Sequence, residues 1–369
     1  MKRMSKVWAM AVGSLALALV LVLALVACRS EEPIQELKPK GPLPYATLSE
    51  YGFFSGKLAD LAPAAGVVPY DVNSPLWSDG AGKARFIVLP DGQKADFDEG
   101  EEWAFPDGTI LIKSFFFPLD RRDPEGARRH IETRLLIRDS KVAEGWTAHT
   151  YFWNDEQTEA SRTIAGKKVI IDSIDEGGKD VSQTYLVPNT NQCKSCHVRD
   201  DVYEVLGVTT HQVNREVTVG GEVRSQLDYL AERGVFSAPL PPSSGLVAFP
   251  DPSGAAPLED RARAYLHANC SHCHRPGGGG GSSGLVLLAW EENPTKLGLC
   301  KGAVAAGSGT GAHLFDVVPG KPEESIMIFR MSSTDPEIKM PEIPNLLPDE
   351  QGVALISAWI QSLSPAGCP

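Results

Sequence analysis

Methionine, cysteine and histidine are scarce in this 369-residue chain, at 6, 7 and 8 copies. No methionine occurs between His197 and Met327, a long stretch without a thioether. Basic residues are outnumbered as well, 35 Lys plus Arg against 47 Asp plus Glu, which gives a formal net charge of −12. That balance lacks the positive footprint that nucleic acid demands, and it favours a partner with a basic surface. The glycines at 277–281 have no Lys-Ser or Lys-Thr behind them, so they are not a phosphate-binding loop. With 42% hydrophobic residues there is enough apolar material for real cores, and the length suggests two or three domains.

The scarce residues are concentrated. Cys193-Lys194-Ser195-Cys196-His197 and Cys270-Ser271-His272-Cys273-His274 are two copies of Cys-x-x-Cys-His. In this order, two thiols three positions apart can each add to a porphyrin vinyl group, and the next residue lies beneath the iron. The pattern therefore predicts two covalently bound haem c groups, with His197 and His274 as proximal iron ligands. A tetrahedral zinc site built from the same thiolates and a redox dithiol are the competing chemistries.

Lys2, Arg3 and Lys6 precede an apolar run from Ala9 to Ala27, the layout of an export signal. The run ends in Leu25-Val26-Ala27-Cys28, which resembles a bacterial lipobox and predicts a lipidated Cys28. A transmembrane anchor is the alternative, since the run is long enough to span a bilayer. Either way the expected location is the cell envelope, on the periplasmic side or at the outer membrane. Cys300 and Cys368 then remain, and in an oxidising compartment two leftover thiols most simply form a disulfide.

Residues 29–44 read as a charged, proline-containing tether. Residues 45–187 read as a β-rich, sandwich-like or partly barrel-like domain. Pro90-Asp91-Gly92 and Pro106-Asp107-Gly108 punctuate hairpins, and Ile131, Thr133, Leu135 and Ile137 alternate with Glu132, Arg134 and Leu136. Residues 188–239 form the first haem segment, with a helix expected over 221–236 on the spacing of Val223, Leu227 and Leu230. A linker follows at 240–257. Residues 258–369 hold the second motif between an entering helix bearing Ala262, Tyr265 and Leu266 and a closing helix bearing Val353, Ile356, Ile360 and Leu363.

Residues 258–369 resemble the class I cytochrome c family. The likeness rests on the entering helix, the second Cys-x-x-Cys-His, Met340-Pro341 and a last helix containing Trp359. It implies a class I cytochrome fold with Met340 as the distal ligand of the second iron. The exported region as a whole resembles bacterial dihaem c-type cytochromes with a β-rich N-terminal domain. Asn73-Ser74-Pro75-Leu76-Trp77-Ser78-Asp79, Glu132-Thr133-Arg134-Leu135-Leu136, Tyr151-Phe152-Trp153-Asn154 and Pro188-Asn189-Thr190-Asn191-Gln192 carry that likeness. For the first iron the sixth ligand is open: His211 is nearest in sequence, with His130, His149, a C-terminal Met or a vacant position as alternatives. The expected fold is thus multi-domain α+β. The expected function is electron transfer between redox proteins, against a dihaem peroxidase-like oxidoreductase or an electron-accepting subunit docked on a dehydrogenase.

Overall fold

The computed structural model describes residues 41–369 except 101, 305, 343, 344, 366 and 369. The expected export signal, the expected lipidation site Cys28 and the expected tether lie outside the described residues. Six strands form one antiparallel sheet in sequential order: β1 Val67–Tyr70, β2 Gly82–Val88, β3 Ile110–Pro118, β4 Arg128–Arg138, β5 Trp146–Trp153 and β6 Ala160–Thr163. The connections between neighbouring strands run from 6 residues (β5–β6) to 21 (β2–β3), and both Pro-Asp-Gly sequences, 90–92 and 106–108, fall within that longest one instead of forming tight hairpins between sheet strands. The β3–β4 register shifts at Phe115/Phe116, where Ile131 is the extra residue.

Strand alternation gives the sheet two different faces. On one, Phe86, Ile112 and Leu135 share a cross-strand row. The N-terminal segment covers it: Phe54 meets the Phe86 ring at 5.1 Å, and the Tyr51 and Tyr151 hydroxyls are 2.7 Å apart. The other face presents Leu111, Lys113, Phe115 and Phe117 of β3. It has two apolar ends with charge between them. At one end Ile87, Leu111 and Trp146 pack with Tyr203, Val208, Leu227, Leu230 and Phe236. At the other, Phe115 and Phe117 pack with Val169, Ile171, Tyr185 and Val187, which belong to a hairpin of β7 Lys167–Ile174 and β8 Asp180–Val187. Full burial of each such side chain contributes roughly 1.5–3 kcal/mol. The body is β-rich, but the layer over this face is a hairpin plus an irregular segment, not a second broad sheet. The first Cys-x-x-Cys-His segment thereby shares one core with the sheet, and the described residues belong to a single compact unit.

The expected helix over 221–236 is shorter than its periodicity suggested. Gly220 and Gly221, at φ 62° and 88°, turn a hairpin between Glu216–Val219 and Glu222–Ser225. The helix, α2, spans only Gln226–Glu232, where Ser225 Oγ accepts the Asp228 N–H at 3.3 Å. It follows α1, Thr190–His197, in the chain.

In the C-terminal part, α3 Leu258–Asn269 packs on α5 Glu350–Ser362, with α4 Ile326–Met331 beside them. Ala262, Tyr265 and Leu266 meet Leu355, Ile356, Trp359 and Ile360; Ile356 and Ile360 belong to the expected stripe, whereas Val353 and Leu363 are only partly buried against it. Gly352 is required at this crossing, because any β-carbon there would overlap the Tyr265 hydroxyl. Cys300 and Cys368 are bridged, with Cα atoms 5.3 Å apart. Among the described residues no helix is long and apolar enough to cross a membrane.

Candidate functional site

Both Cys-x-x-Cys-His motifs are positioned by local backbone chemistry. Asn189 opens α1 with a reciprocal capping box: its side chain accepts the Gln192 N–H and the Gln192 side chain accepts the Asn189 N–H, both at 2.9 Å. The cap satisfies the exposed amides of the first turn, which carries Cys193 just behind it. The second motif follows the C-terminus of α3. The glycines after it allow the chain to wrap tightly round the motif. A β-carbon at Gly278 would stand 2.5 Å from the Cys273 carbonyl oxygen, and one at Gly280 would stand 3.0 Å from the His274 ring. The glycine run is therefore a close wrap that carries Ser283 to His274.

The two terminal histidines share a hydrogen-bonding pattern. His197 Nδ1 lies 2.9 Å from the Glu204 carbonyl oxygen, which can only accept, so the proton is on Nδ1. His274 Nδ1 lies 3.1 Å from Ser283 Oγ, and that hydroxyl already donates to the Gly280 carbonyl at 2.7 Å. His274 is accordingly the donor as well. Burial pushes both imidazoles down to about 4, which keeps them neutral at ordinary pH. Each therefore keeps an unprotonated Nε2, the tautomer that a metal ligand needs.

Two cavities adjoin these histidines. One, of about 390 Å³, is lined by Cys270, Cys273 and His274 together with Met327, Met331, Met340 and Pro341. The other, of about 350 Å³, is lined by Cys193, Cys196 and His197 with Lys113, Arg134, Glu204 and Arg275. Both volumes are in the range of pre-formed cofactor sites. Cys196 and His272 border both, so the cavities share a wall. Across it the Cys273 thiol donates to the Ser195 carbonyl oxygen at 3.6 Å, and the two neighbouring thiols interact so that Cys196 is lowered to about 4 and Cys273 is raised. Burial alone pushes the Cys270 thiol up to about 12.

The motifs are also tied together by charge. The Glu204 carboxylate pairs with Arg275, next to His274, and with Arg199, while its own carbonyl holds His197. The 73–79 string is a strap between the sheet and the second motif. Ser74 Oγ donates to the Ala264 carbonyl at 3.1 Å, and the Trp77 N–H donates to Asn269 Oδ1 at 2.7 Å. Asp79 accepts the Leu346 and Leu347 N–H groups at 2.9 Å, fixing the loop after Met340.

The residues expected at the sites separate into two groups. Cys193, Cys196 and His197 come together at one cavity, and Cys270, Cys273, His274 and Met340 at the other. His211 does not border either cavity; its ring lies 5.2 Å from Phe249 and 5.4 Å from Trp290. His130 is in the sheet core, with Nε2 2.8 Å from the Ala59 carbonyl and its ring stacked on Trp153. His149 borders the smaller cavity, but its Leu135 row places it on the sheet face opposite Lys113, with Nε2 3.0 Å from Thr147 Oγ1. No methionine lines the smaller cavity.

Sequence reasoning missed two imidazoles there, His267 and His272. His267 Nδ1 accepts the Ala289 N–H at 3.2 Å, which puts its proton on Nε2 and removes that atom as a ligand. Its place on the last turn of α3, pointing away from the Leu266 stripe, was the available signal. Cys196, His272 and Cys273 have ligand atoms within 4.8 Å of one another, close enough to hold a metal ion. The trio takes one thiol from each motif and leaves out Cys193, Cys270 and both terminal histidines. A structural zinc site ordinarily needs a fourth protein ligand. No family model matches the chain, and no curated protein and no solved structure matches it either.

Proposed function

We propose that this protein is a dihaem c-type cytochrome, carried as a lipoprotein in the bacterial cell envelope, that relays electrons between redox proteins. The observation that carries the reading is the shared state of His197 and His274: neutral, Nδ1 donating, Nε2 unprotonated, each beside its own two cysteines at a cofactor-sized cavity. Cys193 and Cys196 would hold one porphyrin and Cys270 and Cys273 the other, each through two thioether bonds. Bound there, haem iron supplies one-electron chemistry. Met340 is the candidate distal ligand at the larger cavity, in keeping with a class I cytochrome fold for residues 258–369. The common wall at Cys196 and His272 favours a relay, since it makes the two cofactors neighbours. The net charge of −12 suits a donor or acceptor with a basic docking face.

A second reading, an oxidoreductase with one open iron, has one observation in its favour. The smaller cavity offers no methionine, His130 and His211 do not border it, and the His267 lone pair already accepts the Ala289 N–H at 3.2 Å. Intact mass and an optical spectrum of the mature protein test the main reading, which requires two covalently added haems. A colourless protein, or one with metal and no tetrapyrrole, refutes it. Cyanide binding with peroxide turnover would select the enzyme; two low-spin irons inert to both would select the relay.

A further inference from the structure

The sheet wall of the smaller cavity carries a row of cations. Arg85 of β2 pairs in register with Lys113 of β3, and Lys113 pairs with Arg134 of β4, so the three side chains lie side by side on one face. All three line the cavity. Like charges directly opposite one another on adjacent strands destabilise a sheet, so such a row calls for compensation. Two members have it. Arg85 meets Asp71 at 2.7 Å, and Arg134 grips Glu132 through two bonds of 2.8 and 2.6 Å. Lys113 has no hydrogen-bond acceptor or carboxylate within reach among the described residues, and its ammonium stands only 5.1 Å from the Phe115 ring. The cavity's own carboxylates are committed elsewhere: Glu102 accepts the Val205 N–H at 3.0 Å, and Glu204 holds Arg275 and Arg199. Without an anion, burial drives the Lys113 ammonium well below its usual range. The row thus holds one cation more than it has partners for.

We propose that Arg85, Lys113 and Arg134 form an anion cradle on the sheet wall of the smaller cavity, with Lys113 Nζ as the direct donor to a carboxylate. This rests on the haem reading in one respect: within it, the carboxylate is a propionate of the porphyrin held by Cys193 and Cys196. A free carboxylate of similar size offers the same chemistry to the same three groups. Either way a charge-assisted bond to Lys113 resolves an otherwise uncompensated charge.

The test compares mature protein with its Lys113→Met and Lys113→Arg variants, checked by mass for two haems. Methionine keeps the volume and removes the charge. A propionate left unpaired beside the first iron favours the oxidised state, so one reduction step should move to lower potential while the other stays. Lys113→Arg should restore it, and added acetate should leave the wild-type spectrum unchanged. If acetate perturbs the wild type but not Lys113→Met, the cradle stands with a free carboxylate as its ligand. The proposal is overturned if both haems are present and neither potential moves in Lys113→Met, or if both variants change the spin state of an iron, which would make Lys113 an iron ligand instead. A mature chain without porphyrin overturns the function alone; calorimetric acetate binding, lost in Lys113→Met, then decides the cradle.

Discussion

Glu204 holds one motif with its backbone and the other with its carboxylate, and Glu204→Gln separates the two roles. The substitution keeps the carbonyl that accepts from His197 and removes the charge that meets Arg275. Both partners are nearly enclosed, with side-chain exposures of 11% for Glu204 and 15% for Arg275. Breaking such a pair costs roughly 3–5 kcal/mol, because the remaining charge is left without a counterion. Arg199 is 39% exposed and can turn to solvent, so its share is roughly 0–1 kcal/mol. Glutamine still accepts one hydrogen bond, which places the expected loss near 3 kcal/mol, somewhat over a hundredfold in the unfolding constant. For a compact body of this size that corresponds to a melting temperature lower by roughly 4 °C. Denaturant unfolding of wild type, Glu204→Gln, Arg275→Met and the double variant gives the pair term directly. A coupling below about 0.5 kcal/mol refutes the claim that this pair binds the motifs together.

Met340→Ala should convert one of two low-spin irons to high spin and leave the other unchanged, read by optical and electron paramagnetic resonance spectra; an unaltered spectrum removes Met340 as a ligand. Replacing Cys300 and Cys368 with Ser should cost ~4 kcal/mol, the loop-closure entropy for the 68-residue separation, and denaturant midpoints check it. Burial lowers Lys83 to about 7 from its ordinary 10.5, so between those values the unfolded chain binds a proton that the folded one does not. Stability should therefore rise with pH across that window, and Lys83→Met should flatten the rise; equal slopes in the two proteins would rule this out.

Much of the sheet was readable from alternation: Thr133, Leu135 and Ile137 fall inside β4 and Trp146 to Phe152 inside β5, while the bulge at Ile131 sends that side chain to the face of Phe115 and Phe117. The α3 stripe was equally plain, and half of the α5 stripe was. The 221–236 region misled because Val223, Leu227 and Leu230 fit a helical period, although Gly220-Gly221 between two alternating tetrapeptides is a hairpin signal. The two Cys-x-x-Cys-His pentapeptides are local in sequence and so were legible. The strap and the cation row are not local. Trp77 meets Asn269 across 192 positions, and Asp79 meets Leu347 across 268. No single-segment period carries such pairings. Lys113 looked like an ordinary polar residue in a strand until its register with Arg85 and Arg134 was known.

The contact between Cys196 and Cys273 sets an order of events during biogenesis. A chain that closed in an oxidising compartment with its thiols still bare would bring these two sulfurs within 4.8 Å of each other and invite a cross-link between the motifs. Each pentapeptide would then lose one attachment point to the other. Under the proposed dihaem function, cofactor ligation would therefore precede closure of the strap, and a maturation-deficient host should accumulate a dead-end product sealed at Cys196–Cys273.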